Sequence, residues 1–379
     1  MSRIPDKINL LLVAASLDIG GAEVVIQRLI QAVDRSRFKL TICCIRGLGP
    51  IGEALSAEGF DIKVLADPAS HGHGYLTFLK LLKLIRKRRI HIMHTHTTDA
   101  LFDAALCRLV MPRVRLVHTF HFGNYPHRTS KELWLERIGT KLASRLVAVG
   151  VVQRKQILAT FGFEPRRVTV VRNGVTPSHR QSGEEFRRRI GVTDHVLVGV
   201  TATMISQKGL SDFLAVASRF RDQSEGVRFV IVGDGALRPE LEEKRRELGL
   251  EKLAIFAGWM ANANEIALPA FDIFFQPSLW EAMSIALLEA MAAAKPVVAT
   301  RVGDAPHMID DGVDGYLVEP RDVDGMTAAL RRLIDDSDLR SRIGGAAREK
   351  VSKCFSVERM TRSYETIYEE VFQGRSRIR

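Results

Sequence analysis

The chain has 379 residues, 46% of them hydrophobic and 26% charged, which excludes a disordered chain and leaves length for two domains, each with its own core. A formal net charge of +11 draws phosphorylated ligands or anionic lipid without choosing between them, and nucleic acid is not expected as a partner. Cys43, Cys44, Cys107 and Cys354 stand at spacings that make neither a zinc knuckle nor a Cys-x-x-C pair, so reduced structural thiols in a cytoplasmic protein are expected.

The first apolar run, Ile8 to Ser16, is too short to cross a bilayer and passes directly into Asp18-Ile19-Gly20-Gly21, so it reads as a buried first strand and not as a signal peptide. Strand candidates are Ile8 to Ala14 within that run, Leu40 to Ile45, Ile62 to Leu65, Ile90 to His94, Arg115 to Thr119 and Leu146 to Val149, with helix-period segments between them. That alternation predicts a parallel sheet built from βαβ units. Between the third and fourth strands, Tyr75 to Arg89 places Leu76, Leu79, Leu82 and Ile85 on one helical face, with Lys80, Lys83 and Arg86 to Arg89 elsewhere. Such a segment fits a crossover helix whose cations face water, or a peripheral contact with an anionic membrane.

The pattern near Val168 to Val175 ends in Asn173-Gly174, and polar Thr176 to Gly183 reads as a hinge. A second strand series then runs through Val196 to Thr201, Arg228 to Val232, Leu253 to Ala257, Ile273 to Gln276 and Pro296 to Ala299. The fold expected is α/β, with two Rossmann-like doubly wound domains facing a ligand cleft at the carboxyl ends of their strands. The expected divisions are 1–176, 177–355 and a terminal segment 356–379, where Met360, Tyr364, Ile367, Tyr368 and Val371 recur at helical spacing in an expected helix Val357 to Phe372 that packs back towards the first domain.

The most specific pattern is Glu281-Ala-Met-Ser-Ile-Ala-Leu-Leu-Glu289, which follows a strand ending in Gln276-Pro277-Ser278. The first carboxylate falls in a strand-to-helix loop. If the helix starts near Ser284, Glu289 lies about one and a half turns into it, and both acids can accept hydrogen bonds from one polyhydroxyl ligand. With this pair come Gly20-Gly21-Ala22-Glu23, His94-Thr-His96, His118-Thr-Phe-His121, Asn173-Gly174-Val175, Gln207-Lys208-Gly209, Val232-Gly-Asp-Gly235 with Leu237, and Asp311-Gly312-Val-Asp-Gly315. In this order and spacing, nearly the whole chain resembles the retaining glycosyltransferases of family 4, also called group 1, which have the GT-B fold.

The resemblance implies a hexosyltransferase-type enzyme that moves a sugar from a nucleotide diphosphate sugar to a hydroxyl of a glycan or lipid-linked acceptor. Surface polysaccharide or glycolipid assembly is the setting it implies. It assigns the ribose to Glu289, donor-sugar hydroxyls to Glu281 and a place beside the donor sugar to His121. Lys208 is expected at the diphosphate, where a fixed cation stabilises the leaving group. Gly20 and Gly21 offer close backbone approach to an anion or sugar. Asn173, Thr203, Met283 and Ser284 complete the expected substrate contacts. No metal is expected as a cofactor, because no cluster of His, Cys and acidic residues has ligand spacing.

Three positions depart from the family pattern. Thr203 stands five residues before Lys208, where the family usually carries an arginine, and a threonine supplies neither charge nor a two-pronged fork. Arg172 is a candidate replacement. Ala282 and Ser284 occupy frequent glycine positions, and Asp304 to His307 replaces the common Gly-x-Pro-Glu arrangement. Two rivals therefore stand beside the transferase: a sugar-nucleotide epimerase or phosphorylase on the same architecture, and a nucleotide-sugar-binding scaffold without activity. A dehydrogenase is disfavoured, because Arg238 takes the third glycine position of the Gly233/Gly235 cluster.

Overall fold

A computed structural model describes residues 7–66, 77–122, 129–176, 183–223 and 226–374. The chain divides into two units, one comprising Met1–Gly174 with Val357–Arg379 and the other Val175–Ser356. Most of the expected hinge, and Tyr75 and Leu76 of the expected basic helix, lie outside the described residues.

The first unit is built on a seven-stranded sheet of β1 (Ile8–Ala14), β2 (Phe38–Cys44), β3 (Ile62–Val64), β4 (Ile92–Thr95), β5 (Arg115–Phe120), β6 (Arg145–Ala148) and β7 (Val168–Val170). Its order is β3-β2-β1-β4-β5-β6-β7, and every pairing is parallel. Leu10 to Ala14 are all buried, so this strand is covered on both faces, as the helical crossovers of a parallel sheet require. The winding direction reverses between β1 and β4, the kind of point at which doubly wound sheets bind ligands.

The helix Val357–Phe372 belongs to this unit although it comes last in sequence. Tyr364 and Tyr368 are fully buried, and the Tyr368 ring meets Phe38 of β2 edge-on with centroids 5.7 Å apart. The helix Thr77–Arg88 corrects one expected face: it buries Leu81, Leu82, Leu84 and Ile85, whereas Leu79 is 46% exposed. The apolar stripe is wider than the every-third pattern suggested, and it points along the 81/84/85 side.

The second unit carries a six-stranded parallel sheet of β8 (Val196–Thr201), β9 (Val227–Val232), β10 (Ala254–Gly258), β11 (Ile273–Gln276), β12 (Val297–Thr300) and β13 (Tyr316–Val318). The order β10-β9-β8-β11-β12-β13 puts its reversal between β8 and β11. Strand β13 has only three residues, too few for the period-two pattern to mark it in the sequence. The three buried thiols, Cys43, Cys44 and Cys107, are free, and burial pushes Cys44 and Cys107 up to about 12, so they stay protonated packing groups. Cys354 is free and exposed.

Candidate active site

At the carboxyl edge of the second sheet, the loops after β8 and β11 meet across the reversal point. Gly209 takes φ +61°, a left-handed conformation, and closes the short turn Ser206–Lys208 before the helix Leu210–Ser218. A Cβ at Gly209 would stand 1.9 Å from the carbonyl oxygen of Pro277, so glycine is what lets the two loops touch. Their contact delivers Lys208 to Glu281, with Nζ 2.6 Å from Oε1. Ser278 donates to the same oxygen at 3.0 Å, and Gln207 donates to the other at 3.1 Å.

Glu281 is 9% exposed, so its desolvation is offset by one cation and two neutral donors. Gly303, at φ +52° in the loop after β12, packs so closely that a Cβ there would lie 2.4 Å from the Glu281 carbonyl. The amide of Asp304 adds a hydrogen bond to Ala282 O at 2.9 Å.

Ser284 caps the helix Ile285–Ala292, accepting from Leu287 N and donating to Gln276 Oε1 at 2.6 Å. Glu289 stands in that helix just over one turn beyond the cap and is half-buried. Met283 is buried. Neither Ala282 nor Ser284 has a positive φ, so the loop is formed without the glycines that the resemblance led one to expect. Thr203 is exposed beside the buried Met204, whose backbone pairs with Asp234 O and Leu237 N. The nearby Arg238 is held by Asp234 and Glu242, each at 2.9 Å. A separate cavity of about 500 Å³, lined by Arg187, His195, Asp272 and Lys295 among others, lies at the amino ends of β8, β11 and β12, the opposite edge of this sheet.

The first unit places its own predicted residues at the corresponding edge of its sheet. Gly20 precedes the helix Gly21–Ala32 with φ −172°, extended backbone open to any residue, and the carboxylate end of Glu23 lies where a Cβ would stand, at 2.4 Å. Burial raises the Glu23 carboxyl above its usual range, and Asp18 adds to the shift. Asn173 is buried, and the following Gly174 is bracketed by Met360 Sδ at its amide and Arg28 at its carbonyl.

His121 follows β5 and lies with Nε2 2.9 Å from Nδ1 of His96, which follows β4. His118 is buried within β5, with Nδ1 2.9 Å from Thr95 Oγ1, the hydrogen-bonded core role that an apolar strand predicts. His94 is held at both ring nitrogens, by Tyr368 Oη at 2.7 Å and Thr119 Oγ1 at 2.8 Å. Burial holds His94 and His96 well below the ordinary histidine range and His121 down to about 4, so these three rings are neutral at pH 7. Sequence reasoning did not find the tie between His94 and Tyr368, because the partners are 274 residues apart and no local pattern links them.

Two doubly wound parallel units, with the predicted site residues at the carboxyl ends of their strands, have the architecture of a GT-B protein. The structure superposes on Anabaena HepE in complex with UDP and glucose with a TM-score of 0.85, at 21% identity over 96% of this chain and all of that one. Sucrose-phosphate synthase from Thermosynechococcus elongatus gives 0.81 at 16% identity, covering 97% of this chain and all of that one. The family described as Glycosyltransferase Family 4 matches residues 19–179, and the one described as Glycosyl transferases group 1 matches 195–336.

Among similar sequences, the UDP-Gal:alpha-D-GlcNAc-diphosphoundecaprenol alpha-1,3-galactosyltransferase of Escherichia coli is 25% identical over 89% of this chain and 90% of its own length. The N-acetyl-alpha-D-glucosaminyl L-malate synthase of Bacillus anthracis is 25% identical over 78% of each. The chain belongs to the family 4, group 1 glycosyltransferases, enzymes that use nucleotide-sugar donors.

Proposed function

We propose that the second unit binds the nucleotide diphosphate sugar and the first unit binds the acceptor hydroxyl. The observation that carries this reading is the buried contact of Lys208 with Glu281 at the reversal point of the second sheet, where doubly wound sheets bind ligands. Lys208 has further donors beyond the one given to Glu281, and these reach the diphosphate; Glu281 accepts hydroxyls of the donor sugar, and Glu289 accepts from the ribose. The bond from the anomeric carbon to the diphosphate breaks, a bond to the acceptor oxygen forms on the same face, and the acceptor proton passes to the departing phosphate oxygen. Lys208 stabilises the charge that grows there. Retention of configuration and independence of metal are part of this proposal.

UDP-sugars are the donor class to test first, because the E. coli relative is named for UDP-Gal and HepE was crystallised with UDP. A glycan or lipid-linked acceptor, with surface polysaccharide or glycolipid assembly as the setting, completes the proposal. No helix among the described residues is long and apolar enough to cross a membrane. The row Arg86, Lys87 and Arg88 at the end of the helix Thr77–Arg88 supports a peripheral contact with anionic lipid. Flotation with anionic vesicles at moderate salt tests that contact, and protein left wholly at the bottom refutes it.

Thr203 favours one rival, a nucleotide-binding scaffold, since an exposed threonine replaces a cation. Product analysis with radiolabelled UDP-sugars separates the readings. A new glycoside with unchanged anomeric configuration is expected, whereas tight nucleotide binding without product across an acceptor panel would establish the scaffold. Isomerised donor or sugar phosphate would instead establish an epimerase or phosphorylase.

A further inference from the structure

Within the histidine cluster of the first unit, His96 is the unusual member. It is 1% exposed, its Nδ1 contacts Nε2 of His121 at 2.9 Å, and the two rings stack with centroids 5.2 Å apart and planes 28° apart. Its Nε2 is buried and has no hydrogen-bond partner among the described residues. The space bounded by His96, His118, His121 and Glu136 has no volume for a water molecule, so solvent does not supply one.

Both rings are neutral at pH 7, so the contact holds one proton, and two arrangements compete. If His121 donated from Nε2, His96 would carry its own proton on the buried Nε2, an N–H with nothing to accept it. If His96 donates from Nδ1, its Nε2 is a bare acceptor and the proton of His121 moves to Nδ1. A buried, orphaned N–H is the rarer and costlier defect. The ring nitrogen that carries the proton is set by the bond the other makes.

We propose that His96 is a positioning residue that fixes His121 as the Nδ1–H tautomer, leaving Nδ1 of His121 as a hydrogen-bond donor for an oxygen of the bound sugar. The effect on turnover rests on the reading of His121 as a donor-sugar contact; the tautomer itself does not. His94 packs tilted against His96, with centroids 4.0 Å apart and planes 43° apart, and helps to hold the ring in place.

The test is nitrogen-15 imidazole NMR of the full-length chain at pH 7, with the His121 signals assigned by their loss in His121→Gln. The wild type should show a protonated Nδ1 and a bare Nε2 on His121. His96→Leu, which removes the donor, should lose that pattern and lower kcat/KM for the donor at least fivefold. His96→Asn, whose amide nitrogen can replace Nδ1 as donor, should keep the pattern and stay within twofold of wild type. Protonated Nε2 on His121 in the wild type, a measurement that needs no His96 variant, would overturn the proposal, as would an unchanged tautomer in His96→Leu. The expected tautomers with unchanged kcat/KM in His96→Leu would uphold the positioning and overturn the sugar contact instead.

Discussion

The two sheets have the same kind of reversal point, yet the groups gathered beside them are opposite in character. Beside β8 and β11, a buried carboxylate and an ammonium face each other 2.6 Å apart with two neutral donors around them. Beside β4 and β5, burial keeps His94, His96 and His121 neutral, and four histidines are held by hydroxyls and by one another. The topology fixes where ligands meet the sheet, and the side chains decide whether the edge handles charge or neutral hydroxyls. A diphosphate suits the first edge and an uncharged sugar suits the second.

The largest effect should come from breaking the charged edge. Lys208→Ala should lower kcat/KM about 100-fold, roughly 2.7 kcal/mol, because the cation acts on charge that develops in the reaction. Steady-state kinetics with the best donor checks this. A rate within twofold of wild type in a folded variant would remove the charged edge from catalysis.

On the neutral edge the main expected loss is in stability. His94→Ala should lower unfolding free energy by about 3 kcal/mol, read by urea denaturation, since it deletes a buried ring and leaves Tyr368 and Thr119 without their partner. Gly303→Ala should cost about 2 kcal/mol through its positive φ and the clash with the Glu281 carbonyl, and should also slow turnover because Glu281 must shift. A Gly303→Ala variant with wild-type kinetics would show that this backbone contact does not set the carboxylate.

A further effect is the pH dependence that neutrality implies. His121 has a folded pKa of about 4 against an ordinary 6.5, so between those values the unfolded chain binds more protons than the folded one. Stability should therefore rise with pH through that window and be lost on acidification, most of all where His94 and His96 add to it. Urea midpoints at pH 4.5, 5.5 and 7 measure the trend. A flat profile would mean that the cluster is charged or open to water.

Much of this was legible in the sequence. β1, β8, β11 and the helix Val357–Phe372 have the bounds that their apolar patterns predict, because a strand buried on both faces or a strongly amphipathic helix leaves little choice of register. Glu281, Glu289 and Lys208 stood out through their motif. The ion pair between Lys208 and Glu281 did not, since it forms 73 residues apart through a glycine-dependent meeting of loops. The histidine cluster was visible only as separate residues, as its geometry depends on the register of β4 on β5 and on a helix from the far end of the chain. Leu79 was misplaced because an every-third count cannot tell a wide buried face from a narrow one.

The central claim is that the edge at β8 and β11 binds the diphosphate of the donor. Calorimetric titration of UDP into the wild type and into Lys208→Ala tests it most directly. Saturable binding by the wild type, weakened at least tenfold by the substitution, is the result predicted. Equal affinity in the two proteins, with both folded, would contradict the account and place the diphosphate elsewhere.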